Sequence, residues 1–526
     1  MKSIGISKIA FTIALLSVIT AVSHAQTYTV LTRLSSATGD APNTPLIQGT
    51  NGNLYATATI GGANLSRTYC SGFDQYRCGT LFEVTPAGKI GVVYNFCAQA
   101  NCADGGLQSA PVVLGPNGNF YGATSSGGTS VKLSCQWSAG CGTIFEITAA
   151  GKLTVLYNVC SQTNCGDGLG AGRLILGANG NFYGVTVSGG ILNGDAGCPN
   201  GCGTVFEISP AGRFTSIYKF CSKLNSNGGC ADGIFPLEGL VQGKSGNFYG
   251  MTYYGGSNGV GNIFEISPAG KFTELYSFCS QANCADGRYP TAPLILGSDG
   301  NLYGTTSSGG SQGGGTAFSI TPTGRFTSLY SFCNWANGSC PDGSAPSAGL
   351  VQGADGNFYG TTGAGGNVND GLCLSTGCGT AFQLTPAKQL TNLYSFCAQA
   401  SCTDGAYPGA LMQATDGTLY GIANKGGRSG CIADGGCGTI WSLSMGLAPF
   451  VQANPNFGKS GQVIGILGNN LTGTTSVAFN GVSATFKVVS STYIKAELPT
   501  GATTGAIEVT TPNGTLKSNV AFQVLP

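Results

Sequence analysis

From Gln26 onward, short apolar runs alternate with breaks of Gly, Asn, Asp and Pro, and the runs return at a regular interval. The phrase GNLYATATIGG (52–62) recurs as GNFYGATSSGG (118–128), GNFYGVTVSGG (180–190) and GNFYGMTYYGG (246–256). It appears again as GNLYGTTSSGG (300–310), GNFYGTTGAGG (356–366) and GTLYGIANKGG (417–427). Self-similarity at such a period marks a repeat architecture. The marker residues are Tyr55, Tyr121, Tyr183, Tyr249, Tyr303, Tyr359 and Tyr420, spaced 54 to 66 residues apart.

Each full unit contains four strand-like runs. In the second they are SAPVVLG, NFYGATS, GTIFEIT and KLTVLYNV, rich in β-branched and aromatic residues and bounded by turn formers. Tight turns of the PNGN or SDGN type join the first two, and PAGK-type turns join the last two. Four short antiparallel strands repeated radially describe a propeller blade. The seventh unit has a third strand, GTIWSLS (438–444), but no PAGK-type turn and no fourth strand. The segment TYTVLTRL (27–34) aligns without gaps on KLTVLYNV (152–159) and is expected to supply it, which removes an open sheet edge. A parallel β-helix predicts no such complementary ends. Kelch repeats place their Tyr and Trp after the Gly-Gly, whereas here the Tyr precedes it.

After Ser444 the repeat stops, and residues 449–526 alternate apolar and polar positions between regular turns. This pattern predicts an immunoglobulin-like sandwich of about 80 residues without its usual disulfide. Pro455, Gly458, Gly461, Gly468, Val477, Phe479, Gly481, Pro499, Gly505, Val509, Pro512, Gly514 and Phe522 carry a close resemblance to the IPT/TIG family. That resemblance implies a spacer or adhesion module. Over residues 30–445 the pattern C-x-D-G…P…L…G-N-[LF]-Y-G-T-T…G-G…G-T-[VIL]-F…G resembles the GloVer, or "choice-of-anchor", tandem-repeat family of secreted bacterial proteins. It implies an extracellular or surface protein and brings no catalytic residue with it. The expected fold is therefore all-β: a signal peptide (1–25), a seven-bladed β-propeller closed by its N-terminal strand (26–445), and an IPT/TIG immunoglobulin-like β-sandwich (446–526).

Residues 1–25 combine a Lys-bearing start, an apolar stretch and Ser23 and Ala25 before the expected cut. This is the pattern of a secretory signal. Removing it leaves 21 basic and 22 acidic residues, a net charge of −1. So neutral a chain offers no electrostatic footprint for nucleic acid, and no other run is apolar and long enough for membrane insertion. The single histidine, His24, falls inside the signal, which excludes His-based triads and His-ligated metals from the mature chain.

The 22 cysteines fall into eleven local pairs. Six pairs follow fourth strands: Cys97/Cys102, Cys160/Cys165, Cys221/Cys230, Cys279/Cys284, Cys333/Cys340 and Cys397/Cys402. Five follow second strands: Cys70/Cys78, Cys135/Cys141, Cys198/Cys202, Cys373/Cys378 and Cys431/Cys437. The loops after YYGG (253–256) and SSGG (307–310), and the loop at 32–42, have none. Presence or absence two at a time within a loop is what within-loop disulfides require, so no metal site and no cofactor are expected. Strand direction puts all eleven pairs at one end of the units, opposite the tight hairpins.

An Asp recurs beside these loops, 15 to 17 residues before each marker tyrosine: Asp40, Asp104, Asp167, Asp232, Asp286, Asp342 and Asp404. Asp before Gly is a turn device, while a ring of seven carboxylates could also contact calcium or substrate. The aromatics Trp137, Tyr254, Tyr289, Trp335 and Tyr407 lie on the same loops and suit sugar rings or peptides, or pack beneath the loops. The expected function is non-catalytic binding or adhesion outside the cytoplasm, with a glycan or protein ligand on the cysteine-loop face. The alternative is a carbohydrate-active hydrolase or lyase using carboxylates on the axial face.

Overall fold

The computed structural model describes residues 26–525 except 43, 71–76, 109, 131–134, 136–139, 195–196, 238, 335–338, 368–371, 374–375 and 428–435. The chain is all-β, a succession of small antiparallel sheets. In the fourth unit Leu240–Gln242, Phe248–Thr252, Asn262–Ile266 and Phe272–Ser277 pair in chain order. The second strand is buried throughout, whereas Phe272–Ser277 is half exposed and forms the outer edge. Aromatic and β-branched residues fill the two middle strands because both of their faces pack against neighbouring sheets.

The segment Thr27–Arg33 pairs antiparallel with Thr439–Ser444 and so provides the seventh sheet's fourth strand, as the sequence alignment predicts. It also repeats the irregularities of the other fourth strands. A bulge falls between Val30 and Thr32, at the position of the one between Val155 and Tyr157. The fourth-strand tyrosine of one unit stacks on the ring that opens the fourth strand of the next. Tyr157 stacks on Phe214 at 4.3 Å and Tyr276 on Phe326 at 4.2 Å. Tyr394 stacks in the same way on Tyr28, at 3.7 Å and 4°.

Successive sheets share apolar cores, such as Tyr183, Phe220, Phe248 and Phe264 between the third and fourth. The seventh and first sheets share one too: Tyr420, Ile422 and Ile440 pack with Leu46, Leu54 and Phe82. Glutamines at the end of first strands stitch neighbouring units together. Gln242 accepts from the Ala178 amide at 2.9 Å, Gln352 from Ser298 at 2.8 Å and Gln413 from Ala354 at 2.9 Å. Gln48 of the first unit accepts from the Thr415 amide of the seventh at 3.0 Å and donates to its hydroxyl at 3.1 Å.

The C-terminal region forms two further four-stranded sheets, one including Val463–Leu467 and Tyr493–Glu497, the other Ser476–Phe479 and Ile507–Thr511. Ile464, Ile466, Phe479, Ile494 and Val509 are buried between them. This sandwich is docked on the hairpin ends of the repeats. Asn469 Nδ2 donates to Thr415 Oγ1 (2.8 Å), Thr492 Oγ1 to the Thr50 carbonyl (2.9 Å) and Asn454 Nδ2 to the Gly115 carbonyl (3.2 Å). Leu467 and Tyr493 join the core around Tyr55, Leu114 and Phe120.

Tyr28 touches Tyr394, Phe396 and Trp441, and its hydroxyl donates to the Asp404 carbonyl at 2.5 Å. Tyr28→Ala is expected to lower the stability of the chain by about 3 kcal/mol, the usual cost of deleting a packed aromatic. A denaturant titration checks it, and an unchanged midpoint would show that the N-terminal strand is not structural.

Candidate functional site

The loop face is built on cystines. Ten disulfides are present among the described residues, and every one joins two cysteines of the same loop. After fourth strands they are Cys97–Cys102, Cys160–Cys165, Cys221–Cys230, Cys279–Cys284, Cys333–Cys340 and Cys397–Cys402. After second strands they are Cys70–Cys78, Cys135–Cys141, Cys198–Cys202 and Cys373–Cys378. Cys437 is also disulfide-bonded; its expected partner Cys431 lies outside the described residues. Closing a six-residue ring such as Cys279–Cys284 contributes only about 2 kcal/mol by chain entropy. The larger effect is local, because loops with little secondary structure are pinned in place.

Two further features of the cystines go beyond what spacing shows. First, the two loops of a unit do meet. The sulfurs of Cys70, Cys78, Cys97 and Cys102 lie within 4.8 Å of one another, as do those of Cys198, Cys202, Cys221 and Cys230 and those of Cys373, Cys378, Cys397 and Cys402. In the second unit the group is Cys135, Cys141 and Cys160, and Cys165 is not part of it. Cys333–Cys340 has no second pair to meet, because the loop after SSGG lacks cysteine. Every sulfur named here is already bonded to another sulfur and offers no thiolate.

Second, the cysteines that close the fourth-strand loops do more than staple, and most do not lie at the surface. Cys165 is 1% exposed and Cys340 9%, because the cystine is apolar and packs beneath its own loop. Their carbonyls are acceptors in a fixed network. Cys165 accepts from the amides of Gly168 (2.8 Å) and Gly190 (2.9 Å), and Cys340 from those of Gly343 (3.0 Å) and Gly366 (2.9 Å). In each case the second donor is the last glycine of the Gly-Gly doublet. Cys102, Cys230, Cys284 and Cys402 take Gly128, Gly256, Gly310 and Gly427 in the same way. The doublet therefore ties the second-strand loop to the fourth-strand loop. Gly190 and Gly366 do so at φ 77° and 68°, where a side chain would be strained.

Beneath each fourth-strand cystine sits the recurring aspartate. Asp104, Asp167, Asp232, Asp286 and Asp404 are fully or almost fully buried. Asp286 accepts from the Tyr276 hydroxyl (2.7 Å) and from the amides of Ser280 (2.9 Å) and Gln281 (3.2 Å). Asp104 does the same with Tyr94, Ala98 and Gln99, Asp167 with Tyr157, Ser161 and Gln162, and Asp404 with Tyr394, Ala398 and Gln399. Asp232 takes Tyr218 and both the amide and hydroxyl of Ser222; Asp342 takes Tyr330 and the Asn334 amide. The geometry is that of a turn clasp: a carboxylate held by three donors, or by two at the half-buried Asp342; at Asp232 all three reach Oδ2, and the buried Oδ1 has no partner.

Asp40 does not belong to this series. The Thr80 hydroxyl donates to the Thr38 carbonyl as the Thr143 hydroxyl does to that of Asp104, so Thr38 occupies the clasp position. The Ser36 carbonyl likewise accepts from Gly62, as that of Cys102 does from Gly128. Asp40 lies two residues beyond Thr38, pairs with Ile60 and caps the Ala41 amide at 2.7 Å. The clasp tyrosine is missing from the same unit: by the alignment with residues 152–159 its place is taken by Thr32. The one loop without a clasp is also one without a cystine.

A second set of carboxylates, not anticipated from the sequence, holds the hairpin ends. The marker hydroxyls of Tyr55, Tyr121, Tyr183 and Tyr249 donate to Glu83, Glu146, Glu207 and Glu265 of the third strand. Those of Tyr303, Tyr359 and Tyr420 donate instead to Asp299, Asp355 and Asp416 of the turn. The signal was in the sequence: units with Asn or Ser in the turn have Glu on the third strand, and units with Asp in the turn have Ser or Gln there. Burial and the accepting carboxylate push the phenols up, Tyr121 and Tyr303 to about 12. For Glu146 burial acts upward, but donation from Asn119, Tyr121 and Asn117 outweighs it and holds the carboxyl below its usual range.

The predicted aromatics divide. Trp137 and Trp335 lie outside the described residues. Tyr407 packs against the sixth unit's loop, its hydroxyl donating to the Leu372 carbonyl at 3.2 Å and Lys425 over its ring. Tyr254 and Tyr289 come together, with Tyr253 completing a triad whose ring centres are 4.4, 5.4 and 5.4 Å apart. Phe235 flanks Tyr254, and the Arg288 guanidinium lies 5.4 Å from the Tyr289 ring. Tyr254 is 38% exposed, an unusual figure for a large aromatic here. Burial, then Tyr254 and Tyr289, raise the Tyr253 phenol. Other units place Ser125–Ser126 or Ser307–Ser308 where this one has Tyr253–Tyr254, so the cluster breaks the repeat's equivalence.

A chain of tandem four-stranded sheets with cystine-pinned loops and a docked C-terminal sandwich defines the class. The chain belongs to the family described as "Gloeobacter/Verrucomicrobia repeat", which matches residues 17–193, 66–282, 133–374 and 195–441. Residues 450–524 match the IPT/TIG domain. No curated protein matches the chain. Similar solved structures include PorZ, a surface component of the type-IX secretion system of Porphyromonas gingivalis (13% identity, TM-score 0.43, covering 93% of this chain and 60% of that one). An aldose sugar dehydrogenase from Streptomyces coelicolor gives 13% identity and a TM-score of 0.37, over 80% of this chain and 98% of that one. A gluconolactonase from Xanthomonas campestris gives 12% and 0.31, over 57% and 78%.

Non-reducing peptide mapping is expected to recover only within-loop bridges, Cys431–Cys437 included; a bridge between loops or a titratable thiol in the folded chain contradicts the assignment. The tyrosines give a pH test. A phenol whose folded pKa lies above the unfolded value of 10.0 stabilises the fold fully below pH 10 and loses that contribution as pH rises towards about 12. Absorbance at 295 nm should therefore show Tyr121, Tyr303 and the clasp tyrosines ionising together with unfolding, not before it.

Proposed function

We propose that this chain is a secreted or surface-exposed, non-catalytic glycan-binding protein. Its seven repeat sheets form a closed seven-bladed propeller, and the ligand meets the loop face at Tyr253, Tyr254 and Tyr289. Closure is supported by the N-terminal strand in the seventh sheet and by the shared core and glutamine stitch between the seventh and first units. Ten within-loop cystines belong to an oxidising compartment, and no helix among the described residues is long and apolar enough to cross a membrane.

The observation that carries the binding reading is the tyrosine triad beside Arg288. Aromatic faces stack on the apolar faces of sugar rings, while phenol and guanidinium groups donate to hydroxyls. Cystines in the surrounding loops reduce the entropy lost when a ligand is engaged. Binding is favoured over hydrolysis because the described carboxylates of the repeats are already committed. Thirteen hold clasp or marker tyrosines; Asp40 caps a turn, and Glu274 accepts from Ser257 and Asn262 on an outer strand. The six clasp aspartates named above as possible ligand contacts are therefore assigned here to the fold.

A glycan array on the mature protein is the test. Tyr254→Ser and Tyr289→Ala should each weaken the strongest glycan hit by roughly tenfold, the worth of one stacked ring, without lowering the melting temperature. Ser308 and Ala345 already stand at the corresponding positions of the next unit, so the backbone tolerates both changes. Trp137→Ala and Trp335→Ala extend the scan to the neighbouring loops. Loss of binding on altering the hairpin residues Asn117 or Lys152 instead would place the site at the wrong end.

A further inference from the structure

One position on the loop face differs in charge among the seven units. In each unit the residue just beyond the clasp pairs with the segment that leaves the second strand. Arg288 pairs there with Ser308, as Gly106 does with Ser126, Ile234 with Tyr254 and Ser344 with Ala364. Asp40, Leu169 and Ala406 hold the same place opposite Ile60, Ser188 and Lys425. Five of these seven residues are buried and Ser344 is half-buried; Arg288 is exposed, and it is the cation of the set.

The backbone under this side chain is fixed from both sides by the two short, cystine-free turns. The Arg288 amide donates to the Ser308 carbonyl (2.9 Å), and the Tyr289 amide to that of Val260 (3.0 Å). The Tyr289 carbonyl accepts from the Ser307 amide (3.1 Å) and hydroxyl (2.8 Å). The guanidinium lies against the Tyr289 ring, which keeps it at the rim of the tyrosine cluster. The acids nearby in the chain are engaged elsewhere. Asp286 is buried in its clasp, and Glu274 accepts from Ser257 and Asn262. Among the described residues the ion pair is Lys517–Glu508, in the sandwich. The cluster is thus an aromatic surface with a cation at its edge that no carboxylate of the described chain neutralises.

We propose that the glycan recognised at this cluster is acidic: a uronic-acid residue stacks on Tyr254 and Tyr289, and its carboxylate is taken by Arg288. The inference rests on the glycan-binding reading and names the class of sugar. The carboxylate of a uronic acid projects from the edge of its ring, so it can meet a cation beside an aromatic platform while the ring face stays stacked. A guanidinium fork matches a carboxylate with two parallel hydrogen bonds. An exposed ion pair is weak by itself, so the rings supply most of the contact and Arg288 supplies the choice between acidic and neutral sugars.

The test titrates the full mature chain with oligomers of galacturonate, glucuronate and mannuronate, each paired with its methyl ester, and with polyglutamate as a sugar-free polyanion. One acid at least should bind about fivefold more tightly than its ester, the upper range for an exposed ion pair. That gap should close in about 1 M salt, where charges are screened beyond about 3 Å. Arg288→Gln should remove the gap and Arg288→Lys retain part of it, whereas Tyr254→Ser should weaken acid and ester alike. Ser344 at the corresponding position of the next unit shows that the backbone accepts a neutral polar side chain. Esters or neutral array glycans that bind as tightly as the acids would overturn the inference and leave glycan binding standing. A gap that survives Arg288→Gln would do the same. Polyglutamate binding as tightly as the uronates would overturn it by showing that the sugar ring is not read. Absence of binding by acids, esters and neutral glycans together would sink the glycan reading, and this inference with it.

Discussion

The fold depends on a carboxylate that accepts a hydrogen bond from a tyrosine hydroxyl. Six repeats use this interaction twice, once at each end, and the seventh uses it once. Burying an ionised carboxylate costs several kcal/mol unless its oxygens are bonded. Here each clasp receives a phenol and one or two local amides, with Asp232 Oδ1 alone among the clasp oxygens left buried and unbonded, and each marker carboxylate receives a phenol. The ends of a short-stranded sheet are its weakest places, since backbone groups there leave the ladder. Fixing both ends lets strands of two to eight residues carry long loops. The two ends differ in depth: five clasp aspartates are buried, whereas Asp299 and Asp355 of the turns are exposed and still hold their tyrosines.

Much of this was legible in the sequence because the repeat is its own alignment. Seven marker phrases, the missing fourth strand and the paired loss of cysteines each led to a correct expectation about pairing. The errors arose where spacing stood in for register. Asp40 precedes its marker tyrosine by 15 residues, close enough to the others to be grouped with them. The two-residue offset became visible only through the Thr38 carbonyl and the Asp40–Ile60 pairing. The backbone role of Cys165 and Cys340 was hidden for a similar reason: spacing pairs the sulfurs but does not show which amide reaches a carbonyl. The exchange of third-strand Glu for turn Asp was readable but needs knowledge that both positions reach one hydroxyl. Docking of the sandwich was not readable, because Leu467, Tyr493 and Asn469 look like ordinary residues of an independent domain.

Departures from the repeat are where function is to be sought, since what all seven units share is explained by folding. The fourth and fifth units have no cystine after their second strands. There the chain uses the short turns YYGGSNG (253–259) and SSGGSQG (307–313). A long loop would cover the sheet ends beneath it. Its absence in the fourth unit leaves room for Tyr253 and Tyr254, and the segment leading into the next unit contributes Tyr289, whose ring centre lies 5.4 Å from that of Tyr254.

The same logic links the two ends of the molecule. With the hairpin ends of the first, second and seventh units bonded to the sandwich, the hairpin face is partly covered. The cystine loops lie at the opposite end of the units. That side carries the loops whose ordering cannot come from sheet hydrogen bonds. Pinning them covalently is therefore a condition for a defined binding surface, because an unpinned loop would spend part of each contact's energy on becoming ordered. The cystines and the docked sandwich thus order opposite ends of the repeats: the first pin the loops, and the second covers part of the hairpin face.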